Sequence, residues 1–319
     1  MKFTKYIVRR ILQMIPVILA VTIINFLIIN FAPGDPVEVL AGEMGTEAYK
    51  EELRVRFGLN EPLGARLVLY IKNLMNLDLG ESFKFKAPVV DIIAERMRVT
   101  LLLVLFSEIT VIIVGTLLGA YIARKRDKWQ DKLVSNVTMI IYCFPAFWIG
   151  MLFILFFAVK LKWFPSSGMY SFRTTLPKNI DLLLHLILPS LTLMLVRLPV
   201  YTKLARSSVI EVSQEDYMTT AKAIGYGEKK VYRKFALRNA LLPTVTQAGM
   251  SLSTVFSGAL LTETVFSWPG MGLMIYDGVQ MRDYPLIMGG FLVTTILVVV
   301  GSFITDLIYM YLDPRVVHS

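Results

Sequence analysis

The sequence predicts an all-α membrane protein of six transmembrane helices, with a small external subdomain between the first and the second. Three observations carry that prediction. Hydrophobic residues make up 55% of the 319 and charged residues only 18%, with a mean hydropathy of +0.60, whereas roughly a quarter of a soluble domain is charged. The apolar residues fall into charge-poor runs of about 20 or more, the length that crosses about 30 Å of hydrocarbon. The basic residues behind the net charge of +9 concentrate in the segments that join those runs. That is the pattern of cytoplasmic loops, not of a nucleic-acid footprint.

Span one is predicted at 11–31, behind Lys2, Lys5, Arg9 and Arg10, which places the N-terminus in the cytoplasm. Its uncharged run is too long for a signal-peptide core, so it stays as an anchor. Pro33-Gly34-Asp35-Pro36 ends it. The segment that follows to Arg98 holds eleven acidic and nine basic residues, a balance unlike the cytoplasmic loops. Helices are expected at 46–57 and 65–77 with a turn at 58–63, forming a subdomain too small to hold a core alone. Span two is 99–123, ending inside at Arg124-Lys125-Arg126. Span three is 133–159, uninterrupted by charge and with Pro145 at its centre. An outer turn cluster, Trp163-Phe164-Pro165-Ser166-Ser167-Gly168, leads to span four at 182–201. Span five is 239–262 and span six 286–310, so both termini lie inside. The domains expected are 1–34 (flank and first span), 35–98 (external subdomain) and 99–319 (a five-helix core containing the cytoplasmic loop 203–240).

The chain is organised around 213–243, the longest non-apolar passage of its second half. Ser213 followed by Asp216 reads as a capping start. Gly225 and Gly227 supply a stop, because glycine tolerates the left-handed conformation that closes a helix. A second helix restarts at Glu228, with Val231, Phe235 and Leu242 on one side and Lys229, Lys230, Arg233, Lys234 and Arg238 around the rest. From composition alone this is equally a solvated connector or an amphipathic helix on anionic lipid.

Enzymatic readings find little support. There is no GxxxxGK[ST] phosphate cradle, no HExxH and no GxSxG. Cys143 is alone inside an apolar run and reads as a small core residue; His185 and His318 are too isolated for a metal site. Glu108 is the deepest charge, either a hydrogen bond to a neighbouring helix or a group on a transport path. Arg197, near the inner end of span four, reads as snorkelling. Pro145, Pro189 and Pro243 are expected to loosen their helices, and Phe144, Phe147 and Trp148 are candidates to line a path.

The order of residues narrows the choice. Tyr217-Met218-Thr219-Thr220-Ala221-Lys222-Ala223-Ile224-Gly225 and Phe235-Ala236-Leu237-Arg238-Asn239-Ala240-Leu241-Leu242-Pro243 closely resemble the cytoplasmic loop of permease subunits in ABC importers. The spacing from Gly225 to Pro243 is similar to that of the dipeptide, oligopeptide and nickel branch. Ala32-Pro33-Gly34-Asp35-Pro36, Phe57-Gly58-Leu59-Asn60-Glu61-Pro62, Asp78-Leu79-Gly80-Glu81-Ser82-Phe83, Thr264-Val265-Phe266-Ser267-Trp268-Pro269-Gly270-Met271-Gly272, Arg282-Asp283-Tyr284-Pro285 and Leu312-Asp313-Pro314-Arg315 resemble blocks of that branch's first, B-type, permease. Two departures stand out: Thr219-Thr220-Ala221 where the general motif has Glu-Ala-Ala, and Ser302 where asparagine is usual.

The resemblance implies a type I importer permease in the inner membrane of a prokaryote, transporting short peptides; nickel chelates, glutathione or oligosaccharides are the alternative cargo. It implies a second homologous permease (C-type), two ABC ATPases (D/F-type) that bind ATP and Mg, and an extracytoplasmic binding protein, with no cofactor on this chain. The helix carrying Glu215, Asp216, Tyr217, Thr220, Ala221 and Lys222 and closed by Gly225 becomes the coupling helix, with Ala221 and Ala223 letting an ATPase approach. Glu263, Glu108, Phe144, Pro145 and Trp148 become candidates for the translocation path, the segment from Glu263 to Gly272 facing that path or the binding protein. The rivals are a secondary transporter, which needs midplane coupling charges or broken helices in matched halves, and a scaffold or exporter component.

Overall fold

The computed structural model describes residues 2–31, 34, 36–41, 46–56 and 58–312. Ala32, Pro33 and Asp35, Phe57, the block Asp313-Pro314-Arg315 and His318 lie outside that set. The described residues are helical, apart from loops and one isolated bridge between Glu81 and Pro88. Two compact units divide the chain: 1–100 with 269–299, and 101–268 with 300–319.

In the first unit, α1 (Lys2–Phe31) continues the apolar run through Pro16 and leaves Ile11, Leu12 and Ile28 exposed, as a hydrocarbon-facing helix does. Short helices α2 (Pro36–Ala41), α3 (Glu47–Arg56) and α4 (Leu63–Met75) follow. The latter two match the helices read from sequence. Phe26 of α1 stacks on Tyr70 of α4, ring centroids 5.8 Å apart. Helix α5 (Val89–Ala123) starts ten residues before the predicted span. The apolar run fixes where the helix is dry, not where it begins; Asp91 in its first turn suits the positive helix end, and Arg96 donates to the Pro269 carbonyl at 3.1 Å. α13 (Met271–Met281) and the first part of α14 (Tyr284–Leu312) complete this unit. Val89, Ile93, Met271, Met274, Ile275 and Leu286 form its core.

The second unit holds the rest of α5 and the helices up to Trp268. α6 (Trp129–Tyr142) and α7 (Ala146–Phe153, continued as a π-helix over Ile154–Lys160) correct the third predicted span. They meet at a 102° bend, as a broken span or a re-entrant loop. The cause is Pro145: it lacks an amide hydrogen, disfavours helix at Phe144, and takes an extended conformation (φ −61°, ψ 138°) ahead of α7. Cys143 at the corner is exposed, so it is not a core residue. α8 (Lys178–Val212) runs unbroken through Pro189 and Pro199, and the Asp181 carboxylate at its start accepts both the amide (2.7 Å) and the hydroxyl (2.8 Å) of Ser171. His185 is buried against the Asp181 carbonyl at 2.8 Å. α12 (Leu242–Val265) occupies the fifth predicted span, with Pro243 in its first turn, where proline leaves no hydrogen bond unmade and no kink.

Among the described residues four helices are long and apolar enough to cross a membrane, Ile7–Phe31, Val89–Ala123, Lys178–Val212 and Tyr284–Leu307, or five if the bent pair counts as one span.

Within the second unit α5 and α8 approach through two glycines one turn apart. A Cβ on Gly115 would stand 2.6 Å from the Tyr201 Cβ, and one on Gly119 would stand 2.4 Å from the Thr202 carbonyl oxygen. Small residues four apart let helix backbones come this close where no water drives association.

Candidate functional site

α8 delivers the chain to the stretch singled out in the sequence. Ser213 does not cap the next helix. It follows the last turn of α8, and its hydroxyl donates back to the Val209 carbonyl at 2.6 Å, a satisfied end-of-helix serine. After a turn through Gln214 and Glu215, α9 (Asp216–Ala223) begins with an acid in its first turn. Gly225, at φ +92°, closes it as expected, and the amide of Tyr226 donates to the Ala221 carbonyl at 3.2 Å. The chain restarts as α10 (Glu228–Val231), widens into a π-helical turn over Tyr232–Ala236, and ends as α11 (Leu237–Ala240).

Two apolar clusters hold this segment. Met218 and Ala221 of α9 are buried against Val231 and Ala236, with Val212, Tyr232 and Phe235 around them. Ala221 therefore faces its own chain and is not a surface for close approach. The second cluster ties the segment to its roots: Val209 of α8, Ala120 and Ala123 of α5, and Ala240. Tyr232 joins the two. Its hydroxyl donates to the Ala120 carbonyl at 2.6 Å, and the Arg124 guanidinium lies 4.9 Å from its ring centroid. Burial pushes the Tyr232 phenol up, with Arg124 partly opposing.

The outer face is left to Glu215, Asp216, Tyr217, Thr219, Thr220, Ala223 and Ile224, all exposed. Ile224, an apolar residue, is 71% exposed at the tip. Thr220 donates its hydroxyl to the Asp216 carbonyl, so its oxygen stays turned along the helix. Lys222 lies on α9, its side chain outside the described set. Beside the tip, Tyr226 packs on Phe235 (5.6 Å) with the Lys230 ammonium 4.6 Å from its ring.

The residues weighed for a path are scattered by the structure. Glu108 is buried and bonded: Arg197 donates to it at 3.0 Å and the Tyr201 hydroxyl donates to its other oxygen, with the Ser251 hydroxyl 3.0 Å from Tyr201. This cluster links α5, α8 and α12, and it shows that Arg197 is paired rather than snorkelling. Glu263 is 0% exposed and Trp268, whose amide donates to the Glu263 carbonyl at 2.8 Å, is equally buried; both turn into the protein. Phe144 and Trp148 stack at 4.7 Å across Pro145, and with Phe147 they form an exposed aromatic shelf at the corner of the bent helix.

Sequence reasoning missed the Gly115–Gly119 contact, whose four-residue spacing was readable, and the bidentate pair of Arg206 with Asp131 (both 2.6 Å) between α8 and α6, which only the fold brings together.

Residues 115–318 match the family model described as the binding-protein-dependent transport system inner membrane component, and residues 3–104 match the N-terminal component of the same systems. The chain belongs to this family. It is thus the permease subunit of an ABC importer and a multi-pass inner-membrane protein, and in such importers ATP hydrolysis lies on separate subunits. The permease is 35% identical to a dipeptide transport system permease protein of Alkalihalophilus pseudofirmus over 98% of both chains. It is 36% identical to a glutathione transport system permease protein of Escherichia coli, again over 98% of both. A chain of the inward-facing MetNI methionine ABC transporter superposes with a TM-score of 0.53 at 17% identity, over 70% of the permease and 97% of that chain, so the two share a fold.

Proposed function

We propose that this permease is one half of the membrane channel of an importer for short peptides. It pairs side by side with a second homologous permease of the C type, stands on two ATPases of the D/F type that bind ATP and Mg, and takes cargo from an extracytoplasmic binding protein. Its six spans are the four long helices, the bent pair and α12, with both termini in the cytoplasm. The segment 35–98 forms the external subdomain, and 203–240 the cytoplasmic loop within the core 99–319.

The observation that carries this reading is the self-contained helical knob of α9. Its hydrophobic side is filled by its own chain, its outer face carries Asp216, Tyr217, Thr220 and Ile224, and its root is bonded to α5 as well as α8. A knob of that construction suits seating in a cleft of an ATPase and passing a rigid-body displacement into the membrane helices. Alternating access follows from ATPase closure and opening. Peptide cargo rests on the relatives: one carries dipeptides by name and the other glutathione, itself a small peptide derivative. The exposed shelf of Phe144, Pro145 and Trp148 is assigned to the path, whereas Glu108 serves as a structural bond between helices.

The test is a pull-down of the tagged chain from native membranes in mild detergent, followed by mass spectrometry. Co-purification of a second permease and P-loop ATPases, with peptide-stimulated ATP hydrolysis when binding protein is added, is the expected result. A chain recovered alone or as a homo-oligomer overturns the assignment.

A further inference from the structure

A groove of about 620 Å³ opens in the first unit between the end of α1, α4, the turn before it, the stretch 78–83 and the start of α14. Its size is that of a small-molecule site. Phe26, Tyr70 and Tyr284 supply aromatic wall, and a single arginine, Arg66, lines it. Arg66 is half-buried on α4, and among the described residues no carboxylate stands within ion-pair distance of it. Burial holds its guanidinium below the ordinary value. A guanidinium partly stripped of water and given no internal counter-ion is unusual, because a desolvated charge is ordinarily paired. Its planar fork matches a carboxylate in two parallel hydrogen bonds. Around the same groove stand the exposed carboxylates of Glu61 and Glu81, neither of them in an ion pair among the described residues. One unpaired cation, acids at the rim and an aromatic wall make an amphoteric lining, complementary to a zwitterion with an apolar body.

We propose that this groove is a binding site for a free short peptide on the permease itself, with Arg66 holding the C-terminal carboxylate and Glu61 and Glu81 facing the α-ammonium. The inference rests on the peptide reading for the class of ligand, and on the groove alone for its place. Such a site would hold cargo independently of the binding protein.

The experiment uses the full chain, purified with the subunits that accompany it and reconstituted in lipid nanodiscs without binding protein. Alanyl-alanine and its C-terminal amide are titrated calorimetrically against wild type, Arg66→Gln and Arg66→Lys. Amidation on wild type and Arg66→Gln with the free acid should each weaken binding about ten-fold or more, the scale of a charge-assisted hydrogen bond. Amidation on Arg66→Gln should then cost nothing further, because both changes remove the same contact, and Arg66→Lys should recover part of the affinity. Thermal unfolding of each variant checks that the fold persists; should Arg66→Gln unfold, the cycle is run with Arg66→Lys, whose loss on amidation must be smaller than wild type's. No binding by wild type, additive losses, or peptide binding unchanged in Arg66→Gln each overturn the site. If the transporter assembles and imports peptides but the cycle shows no coupling, this inference fails alone; if coupling appears without ATPase partners, the site stands and the importer reading fails.

Discussion

The Ser82 hydroxyl donates to the Asp283 carboxylate at 2.5 Å, across 201 residues of sequence. The same oxygen accepts the Lys84 amide at 3.1 Å, and the other accepts the Leu286 amide at 3.3 Å, at the N-terminus of α14. One buried carboxylate thus caps a helix and fixes the turn at 82–85, where the Ser82 oxygen accepts the Phe85 amide at 3.0 Å. Asp283→Ala strands these donors together and should cost about 3 kcal/mol, since a buried donor deprived of its partner loses more than the bond was worth. Ser82→Ala, which strands only the Phe85 amide and leaves Asp283 its two amide donors, should cost about 1 kcal/mol. Thermal unfolding in detergent checks both, and equal losses would refute the shared-acceptor account.

Glu108 and Arg197 should behave as a structural pair. Removing either alone leaves the other half uncompensated in the membrane and should cost about 3 kcal/mol, with the Glu108→Gln, Arg197→Gln double variant less damaged than the sum. A double-mutant cycle on unfolding reads this. Additive losses, or a transport defect at unchanged stability, would return Glu108 to the path.

How far these features could be read in advance depends on what makes them. Spans one, two, four and six, α3, α4, the α9 turn and its restart were legible because apolar runs, glycine and helix-capping chemistry act over a few residues. The eight stretches of the resemblance were legible as words, but their meaning was not: nothing local says that Ser82 of one meets Asp283 of another. The corner at Pro145 was visible as a proline and underestimated as a kink, since the angle depends on the packing of α6 and α7 against α8. Ser213 misled because a serine just past one helix looks like a serine just before the next. Ala221 misled because a small residue fits equally a partner's surface and a tight internal contact.

Gly119→Leu should separate α5 from α8. A Cβ there already meets the Thr202 carbonyl at 2.4 Å and the Ala205 Cβ at 2.8 Å, so Gly119→Ala is expected to cost about 1–3 kcal/mol and leucine more. If detergent melting temperatures of both match wild type, the close approach is not what holds the two helices.

Gly225→Val tests the knob. The left-handed conformation at φ +92° costs a β-branched residue about 1–2 kcal/mol or more, and the open space around the glycine offers no clash to confuse the result. Membrane insertion should stay normal while ATPase subunits no longer co-purify. Undiminished co-purification would show that the closure of α9 is not needed for docking.

Tyr70 provides a pH signature in the first unit. Burial pushes its phenol up to about 12 from an ordinary 10.0. The neutral ring is therefore the form the fold favours: its contribution is complete below pH 10.0, and is lost as pH rises through about 12. Alkaline titration followed by phenolate absorbance should lose one late-titrating tyrosine on Tyr70→Phe; an unchanged curve in that variant would contradict the burial.

The bond from Tyr232 to the Ala120 carbonyl gives the loop a third point of anchorage. A strand tied only at its two ends can slacken, and a load at its middle is then lost as bending. A bracket fastened at three places cannot: torque applied near Ile224 must turn the Ala120 end of α5 along with α8. The loop's leverage on the rest of the chain is set by that fastening rather than by the two spans it connects.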